Sequence, residues 1–486
     1  DAPGGNQPGG SFYVWEFGNV FKPGREYEGK KLPPMFPWAM FRGGSSHVAT
    51  ITMGNEPPPP PPPANFHEYI LMMNPNDGEA NVNIDLMNEK GEVVRLPWKV
   101  APHARSTVFI NRYMPGCGVS AKLTSDAPII SERALYFNFQ GRWQGGTDSA
   151  GVTEPAREWF LAEGYTAENF DEYVLVQNPG KSDVSVNFTF MREGDTPVAA
   201  DFIVAKESRF TLNLKGVPGL EHTSVSTRVR GSADIICERA MYFNYNGYIG
   251  GHSARGITKQ STLWYLAEGY TAQSYDTYVL IQNPGTKKAN VQVSLLTPGG
   301  GQKKVTMVVP AQGRKTLLVD SVEGMEATEV STEVTSDEPV IAERAMYFNA
   351  DGRDGGHGAP GVSEASRTWY LAEGYTAQSF DTYVLLMNPN DHAVNVATTF
   401  MRSDGHVWSR SDRLKARSRF TIHVDEMPGF EAAEVSTLVE AEAGEKIIAE
   451  RAVYFTYNNS YLGGHDDVGV VRPSNVWYFA EGYTGM

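Results

Sequence analysis

The sequence predicts an all-β fold, a tandem array of immunoglobulin-like β-sandwich domains behind an irregular N-terminal extension and a polyproline spacer. Three observations carry this. The octapeptide W-Y-L-A-E-G-Y-T recurs at residues 159–166 (Phe at its second place), 264–271, 369–376 and 477–484 (Phe at its third), so the copies start 105, 105 and 108 residues apart. Self-similarity at a fixed period marks an array, and a unit of that length is large enough to bury its own core. Between the copies, short runs of alternating apolar and polar residues are separated by turn residues. No stretch sustains helical spacing.

In chain order, residues 1–65 stand apart as the extension. Residues 12–21 (F-Y-V-W-E-F-G-N-V-F) read as an aromatic strand, and Met35, Phe36, Trp38 and Phe41 form an apolar cluster within a Gly/Pro-rich, charged segment. The seven prolines of residues 57–63 form a stiff strut of roughly 20 Å in polyproline II conformation. Sandwiches are expected over 66–157, 158–262, 263–367 and 368–475, with a terminal strand at 476–486. In the third unit, strands are expected at 278–283, 290–296, 305–309, 314–319, 330–335 and 340–348, with the octapeptide as a further strand. Pro284-Gly285 marks the first turn. Seven antiparallel strands in this length fit a two-sheet sandwich.

Side chains alternate along a strand. Trp264, Leu266 and Glu268 therefore share one face, and Ala342, Arg344, Met346 and Phe348 share another. The large apolar members point both faces inward. Inward charges are costly unless paired, so structural ion pairs are expected: Glu268 with Arg344, Glu163 with Arg239 and Glu373 with Arg451.

The formal net charge is −15. Such a surface argues against nucleic acid or an anionic membrane as partner. No apolar run is long enough to span a bilayer. Residues 1–10 read as a mature terminus after cleavage, which points outside the cell. Cys117 and Cys237 occupy non-equivalent places, so no repeated disulfide framework exists; both read as small apolar side chains.

Repeated carboxylates (Glu163, Glu268, Glu373, Glu481; Glu132, Glu238, Glu343, Glu450) could suggest a glycosidase pair. Recurrence in every unit is the mark of structural residues, so no catalytic residues are assigned. Gly-Gly-His recurs at 250–252, 355–357 and 463–465, with Thr147 at the first unit's third place. One histidine per domain cannot share a metal in a linear array, so no metal site and no cofactor are expected. The Asn-Pro loops at 74–77, 178–183 and 388–391 lack calcium-cage spacing and read as turns. Sequons start at Asn187 and Asn458. Tyr245, Tyr248, Tyr457 and Tyr461 could contact sugars, although strand-end and interdomain packing is the stronger reading.

The ordered set W-Y-L-A-E-G-Y-T, Y-V-L-x-x-N-P, V-S-T, I-A-E-R-A-M-Y-F and G-G-H over residues 66–486 resembles tandem repeats in large secreted proteins of actinobacteria and allied thermophilic bacteria. The resemblance implies an extracellular or cell-surface module with no catalytic residues to carry over.

A periodic sequence does not say where a unit begins. If the octapeptide opens each unit, residues 476–486 are an orphan strand and the first sandwich lacks one, the two halves of donor-strand complementation. Trp477, Phe479 and Glu481 would then enter a neighbouring copy, with Arg133 receiving Glu481, and a head-to-tail filament would form. Phe36, Trp38 and Phe41 would serve that assembly. If the octapeptide closes each unit, Trp477 belongs to the fourth sandwich. The expected function is an extracellular structural protein that self-assembles into a surface filament. The alternative is a monomeric adhesin or carbohydrate-binding array.

Overall fold

The computed structural model describes residues 65–485, which contain strands and short 3-10 turns and no α-helix. The expectations for residues 12–21, for Phe36, Trp38 and Phe41, and for the polyproline strut lie outside the described residues.

The second unit shows the plan. Its strands are Ala156–Leu161, Phe170–Asn178, Val184–Arg192, Val198–Val204, Ser208–Asn213, Val225–Tyr245 and Tyr248–Arg255. The 21-residue strand Val225–Tyr245 serves two antiparallel sheets. Its first half lies between Ala156–Leu161 and Val184–Arg192, with Val229 opposite both Trp159 and Phe188. Its second half lies between Phe170–Asn178 and Tyr248–Arg255, with Arg239 opposite Val174 and Ala254. The register breaks between Arg230 and Ile235, where the strand passes from sheet to sheet. The fourth unit splits the same strand into Val435–Ala441 and Ile448–Tyr457 around a turn carrying Gly444 at φ +92°.

Alternation decides which face is core. In Val184–Arg192, Val184, Val186, Phe188 and Phe190 are buried, whereas Ser185 is exposed and Asn187 and Thr189 are half-buried. The octapeptide tryptophan anchors each sandwich. Its indole N–H donates to a carbonyl on the long strand: Trp159 to Ile235 (3.0 Å), Trp264 to Val340 (2.9 Å), Trp369 to Ile447 (2.8 Å) and Trp477 to Ile129 (3.0 Å). The Asn-Pro turns close on themselves as well. Asn178 Nδ2 donates to Ser182 O (2.9 Å) and Asn283 Nδ2 to Lys287 O (2.7 Å).

Trp477 lies in neither place the sequence frames offered. Ser474–Phe479 pairs with Val119–Phe139 of the first sandwich of its own chain, with Trp477 opposite Leu123. It takes the position that the octapeptide strand holds in the other units. The array curves back on itself, so the first unit's open edge and the final strand meet in cis. Four sandwiches thereby form a closed ring.

The ring explains Gly-Gly. Strands Trp143–Ala150, Tyr248–Arg255, Arg353–Pro360 and Tyr461–Val468 pack side by side around its centre. A Cβ on Gly250 would lie 3.1 Å from Gly355 Cα, one on Gly355 3.1 Å from Gly463 Cα, and one on Gly463 3.5 Å from Gly146 N. The next rank meets the preceding unit's phenylalanine: a Cβ on Gly356 would lie 2.8 Å from Phe243 Cζ. Arg255 and Asp467, from opposite units, pair across the centre at 2.7 Å. Gly355→Val is expected to destabilise the whole ring by about 1–3 kcal/mol through overpacking, read as a lower midpoint in a thermal melt. An unchanged midpoint would contradict the close approach.

Candidate functional site

The chemistry-bearing residues gather at the four junctions between consecutive units. The E-R-A segment of each long strand sends its glutamate to one side and its arginine to the other, because adjacent residues of a strand face opposite ways. The arginine meets its own unit's A-E-G motif. The glutamate crosses to the preceding unit's motif and accepts two backbone N–H groups there. Glu343 accepts from Ala162 (2.9 Å) and Glu163 (3.1 Å), Glu450 from Ala267 (2.7 Å) and Glu268 (2.9 Å), Glu132 from Ala372 (2.8 Å) and Glu373 (2.9 Å), and Glu238 from Ala480 (3.0 Å) and Glu481 (3.1 Å). The last case places the closing strand in the same clasp as every other.

The ion pairs follow. Arg239 contacts Glu163 (2.5 Å) and Glu343 (2.7 Å). Arg133 contacts Glu481 (2.7 Å) and Glu238 (2.6 Å). Arg451 contacts Glu373 (3.2 Å), Glu132 and Asp148. The third unit departs from the expected Glu268–Arg344 pair: Arg344 donates only to the Glu268 backbone oxygen (3.3 Å) and pairs with Glu450 (2.5 Å) and Asp466. The Glu268 carboxylate lies 3.5 Å from Arg419 instead. Asp466 takes Arg344 Nη2, the atom that reaches Glu163 from Arg239, and it occupies a position held by Ser253 in the second unit and Gly358 in the third.

Arg419 is one of four buried arginines that sequence reasoning passed over. Arg105, Arg209, Arg314 and Arg419 each donate to the backbone oxygen of the A-E-G glycine at a junction. Their signal was in the sequence, an Arg two places before Thr at near-constant spacing. With them, each junction buries two arginines and three carboxylates. The third carboxylate is Glu68 or Glu172 where the ring's inner strand offers Ser253 or Gly358. It is Asp466 or Asp148 where the other position is Thr277 or Thr382.

An excess of buried carboxylate shifts protonation. Burial first, with Glu481 and Glu238 adding to it, lifts Glu68 to about 8 against the pull of Arg133 and Arg209. Glu172 is raised well above the usual range, chiefly by burial, and neither of its oxygens has a hydrogen-bond partner. Burial also acts to raise Glu163, but His252 and Arg239 outweigh it and hold the group low. A raised folded pKa means that the folded state holds a proton the unfolded chain has released. Stability from Glu68 is therefore full below about 4.5 and is lost as pH rises to about 8. Glu68→Gln is expected to gain stability relative to the parent across that window, most at its upper end, by paired melts at pH 5 and 8. An equal difference at both pH values would contradict the buried proton.

The ring also corrects the premise that histidines so far apart in sequence cannot approach. His252, His357 and His465 are buried on neighbouring inner strands. Burial, then Arg344 and the other two histidines, holds His357 well below its ordinary pKa; burial, then Arg451, does the same to His465. They pack against aromatic rings, His357 at 5.5 Å from Phe348. Among the described residues the one metal-compatible group is Asp381, His423 and Asp425. There Asp381 is held by Arg353 and Asp425 accepts from the Thr382 N–H (2.8 Å).

The tyrosines serve junctions. Tyr245 stacks on Tyr347 (4.3 Å) and its hydroxyl reaches Asp276 (2.6 Å) and Tyr278 (2.7 Å). Tyr457 stacks on Tyr136 (4.1 Å). Cys237 is buried, Cys117 half-buried, and both are free. A cavity of about 340 Å³ opens between the second and third units, and the corresponding one between the first and second is about 40 Å³. No described helix is long and apolar enough to cross a membrane.

No family model matches the chain, and no curated protein matches it. Among solved structures it is similar to Thermotoga maritima 1070, at 16% identity over 22% of this chain and 97% of that one, TM-score 0.21. It is similar to the Anabaena sensory rhodopsin transducer, at 22% identity over 18% of this chain and 90% of that one, TM-score 0.16. A tetra-tandem repeat from the extending region of a large adhesion protein matches at 13% identity over 81% of this chain and 92% of that one, TM-score 0.10.

Proposed function

We propose that the chain is a non-catalytic, ring-shaped binding module of an extracellular or cell-surface protein, acting as a monomer in the manner of an adhesin. The observation that carries this is the seating of Ser474–Phe479 on Val119–Phe139 in cis. With that strand in place, the octapeptide position of the first sandwich is filled, and among the described residues the strand expected to act as donor is already paired. The repeated carboxylates sit in buried clasps with arginine and backbone N–H groups, which supports a structural role over catalysis. The acidic surface supports a partner that is neither nucleic acid nor membrane.

A filament remains the second reading. The closing strand is joined to the fourth unit through residues 469–473, and an identical edge on another copy would accept it by strand exchange. Sedimentation of the purified chain separates the two. A single species of monomer mass, unchanged as concentration rises, supports the ring. Uniform fibres by electron microscopy, lost on deletion of the closing strand, would overturn it in favour of the filament.

A further inference from the structure

The junctions are pseudo-equivalent, so a departure at one of them can be compared with its own relatives. At the junction of the third and fourth units, Arg419 lies 3.2 Å from the Glu329 carboxylate. At that of the fourth and first, Arg105 faces Glu434 at 3.8 Å. These glutamates bridge to the motif tyrosines Tyr270 and Tyr375; at the corresponding bridge to Tyr165 stands Ser224. A serine hydroxyl supplies no counter-charge. Glu193, whose N–H donates to Ser224 O, turns instead to Lys315 at 3.3 Å. Arg314 is 2% exposed and no carboxylate of the described residues lies within ion-pair distance of it; its Nε has no acceptor, as in Arg105, Arg209 and Arg419, and Glu193, Glu172, Glu163 and Glu343 act on it only from further off. The 340 Å³ cavity is the space left, and Arg314 lines it.

The first junction shows what closes such a space. There Gly118 stands at the serine's place and Phe210 at the lysine's, so nothing draws Glu89 outward. Its Oε1 fills the gap, 1.9 Å from where a Gly118 Cβ would be, and the cavity shrinks to about 40 Å³.

We propose that the cavity between the second and third units binds a small ligand carrying one carboxylate on a hydroxylated body, an acidic sugar of the hexuronate kind. Its carboxylate would sit on Arg314, as the Glu329 carboxylate sits on Arg419. A guanidinium recognises a carboxylate through two parallel, charge-assisted hydrogen bonds. Tyr278 and Leu280 offer an apolar wall, and Asn169, Asn246 and Thr316 offer donors and acceptors for hydroxyl groups. Glu163, Glu168 and Glu193 also line the cavity and select against a second negative charge. The inference rests on the binding-module reading, but calorimetry tests it independently of the sedimentation that tests the ring.

The experiment is isothermal titration of the whole chain with glucuronate, galacturonate, a uronate-terminated disaccharide, and glucose as the neutral match. One uronate is expected to bind per chain, with glucose at least about tenfold weaker. Binding of the disaccharide as well identifies a glycan end as the source; binding of the monosaccharides alone identifies the free acid. Ser224→Glu places the missing carboxylate on Arg314 and is expected to abolish binding while raising the melting temperature. Lys315→Ala frees Glu193 to turn inward and is expected to weaken binding. Absence of saturable uronate binding, equal binding of glucose, or undiminished binding to folded Ser224→Glu would overturn the assignment.

Discussion

Removal of residues 474–486 is expected to unfold the first sandwich and open the ring, the largest effect of any change considered. Trp477 and Phe479 are fully buried in the first core. Losing them forfeits roughly 1.5–3 kcal/mol each, and each strand hydrogen bond about 0.5–1.5 more. Arg133 loses Glu481, and Glu238 loses the two N–H groups of Ala480 and Glu481. The sum is on the order of 10 kcal/mol, comparable to the whole stability of an ordinary domain. Hydrogen exchange should show protection lost across Asn65–Asn74 and Val119–Phe139 while Phe170–Asn178 and Tyr275–Asn283 keep theirs. A synthetic peptide of residues 474–486 should restore it. Unaltered protection in Val119–Phe139 would mean that the closing strand is dispensable.

The sandwich was legible because it is local. Alternation in V-S-V-N-F-T-F puts Val184, Val186, Phe188 and Phe190 on one face whatever lies beyond the unit. The inward arginine was legible for the same reason: Arg344 shares its face with Met346 and Phe348. The glutamate beside it was not. In an isolated sandwich Glu343 points away from the core and reads as solvated, whereas in a ring the space it points into is the preceding unit. Period alone carries no curvature, so the sequence could not say that the fourth unit returns to the first. That missing closure also hid the reason for Gly-Gly, which is the close approach of a neighbour's backbone. The cavity was hidden for a finer reason. It depends on Ser224 standing where Glu329 and Glu434 stand, and on Lys315 turning Glu193 outward, contacts that exist only across a junction.

Glu343→Ala is expected to cost about 3–5 kcal/mol, with the damage centred on the junction of the second and third units. The side chain is fully buried and holds Arg239 at 2.7 Å while accepting the N–H groups of Ala162 and Glu163. Truncation leaves both donors without an acceptor, and each buried orphan costs about 1–3 kcal/mol. Arg239 keeps Glu163, so the guanidinium itself is not left wholly unpaired. Glu343→Gln should cost less, since it retains shape and one acceptor oxygen. The exposed pair of Arg230 and Glu158, at 2.7 Å, supplies the contrast, because Arg230→Met should cost under about 1 kcal/mol at a solvent-screened site. A double-mutant cycle of Arg239→Met with Glu343→Gln should give a coupling of roughly 0.5–3 kcal/mol, as expected for residues in contact. The glutamate lies in the third unit and its partners in the second, so this coupling measures how strongly neighbouring units hold each other. Additive single-mutant effects, or a Glu343→Ala protein as stable as its parent, would show that the units stand independently and that the clasp does not maintain the ring.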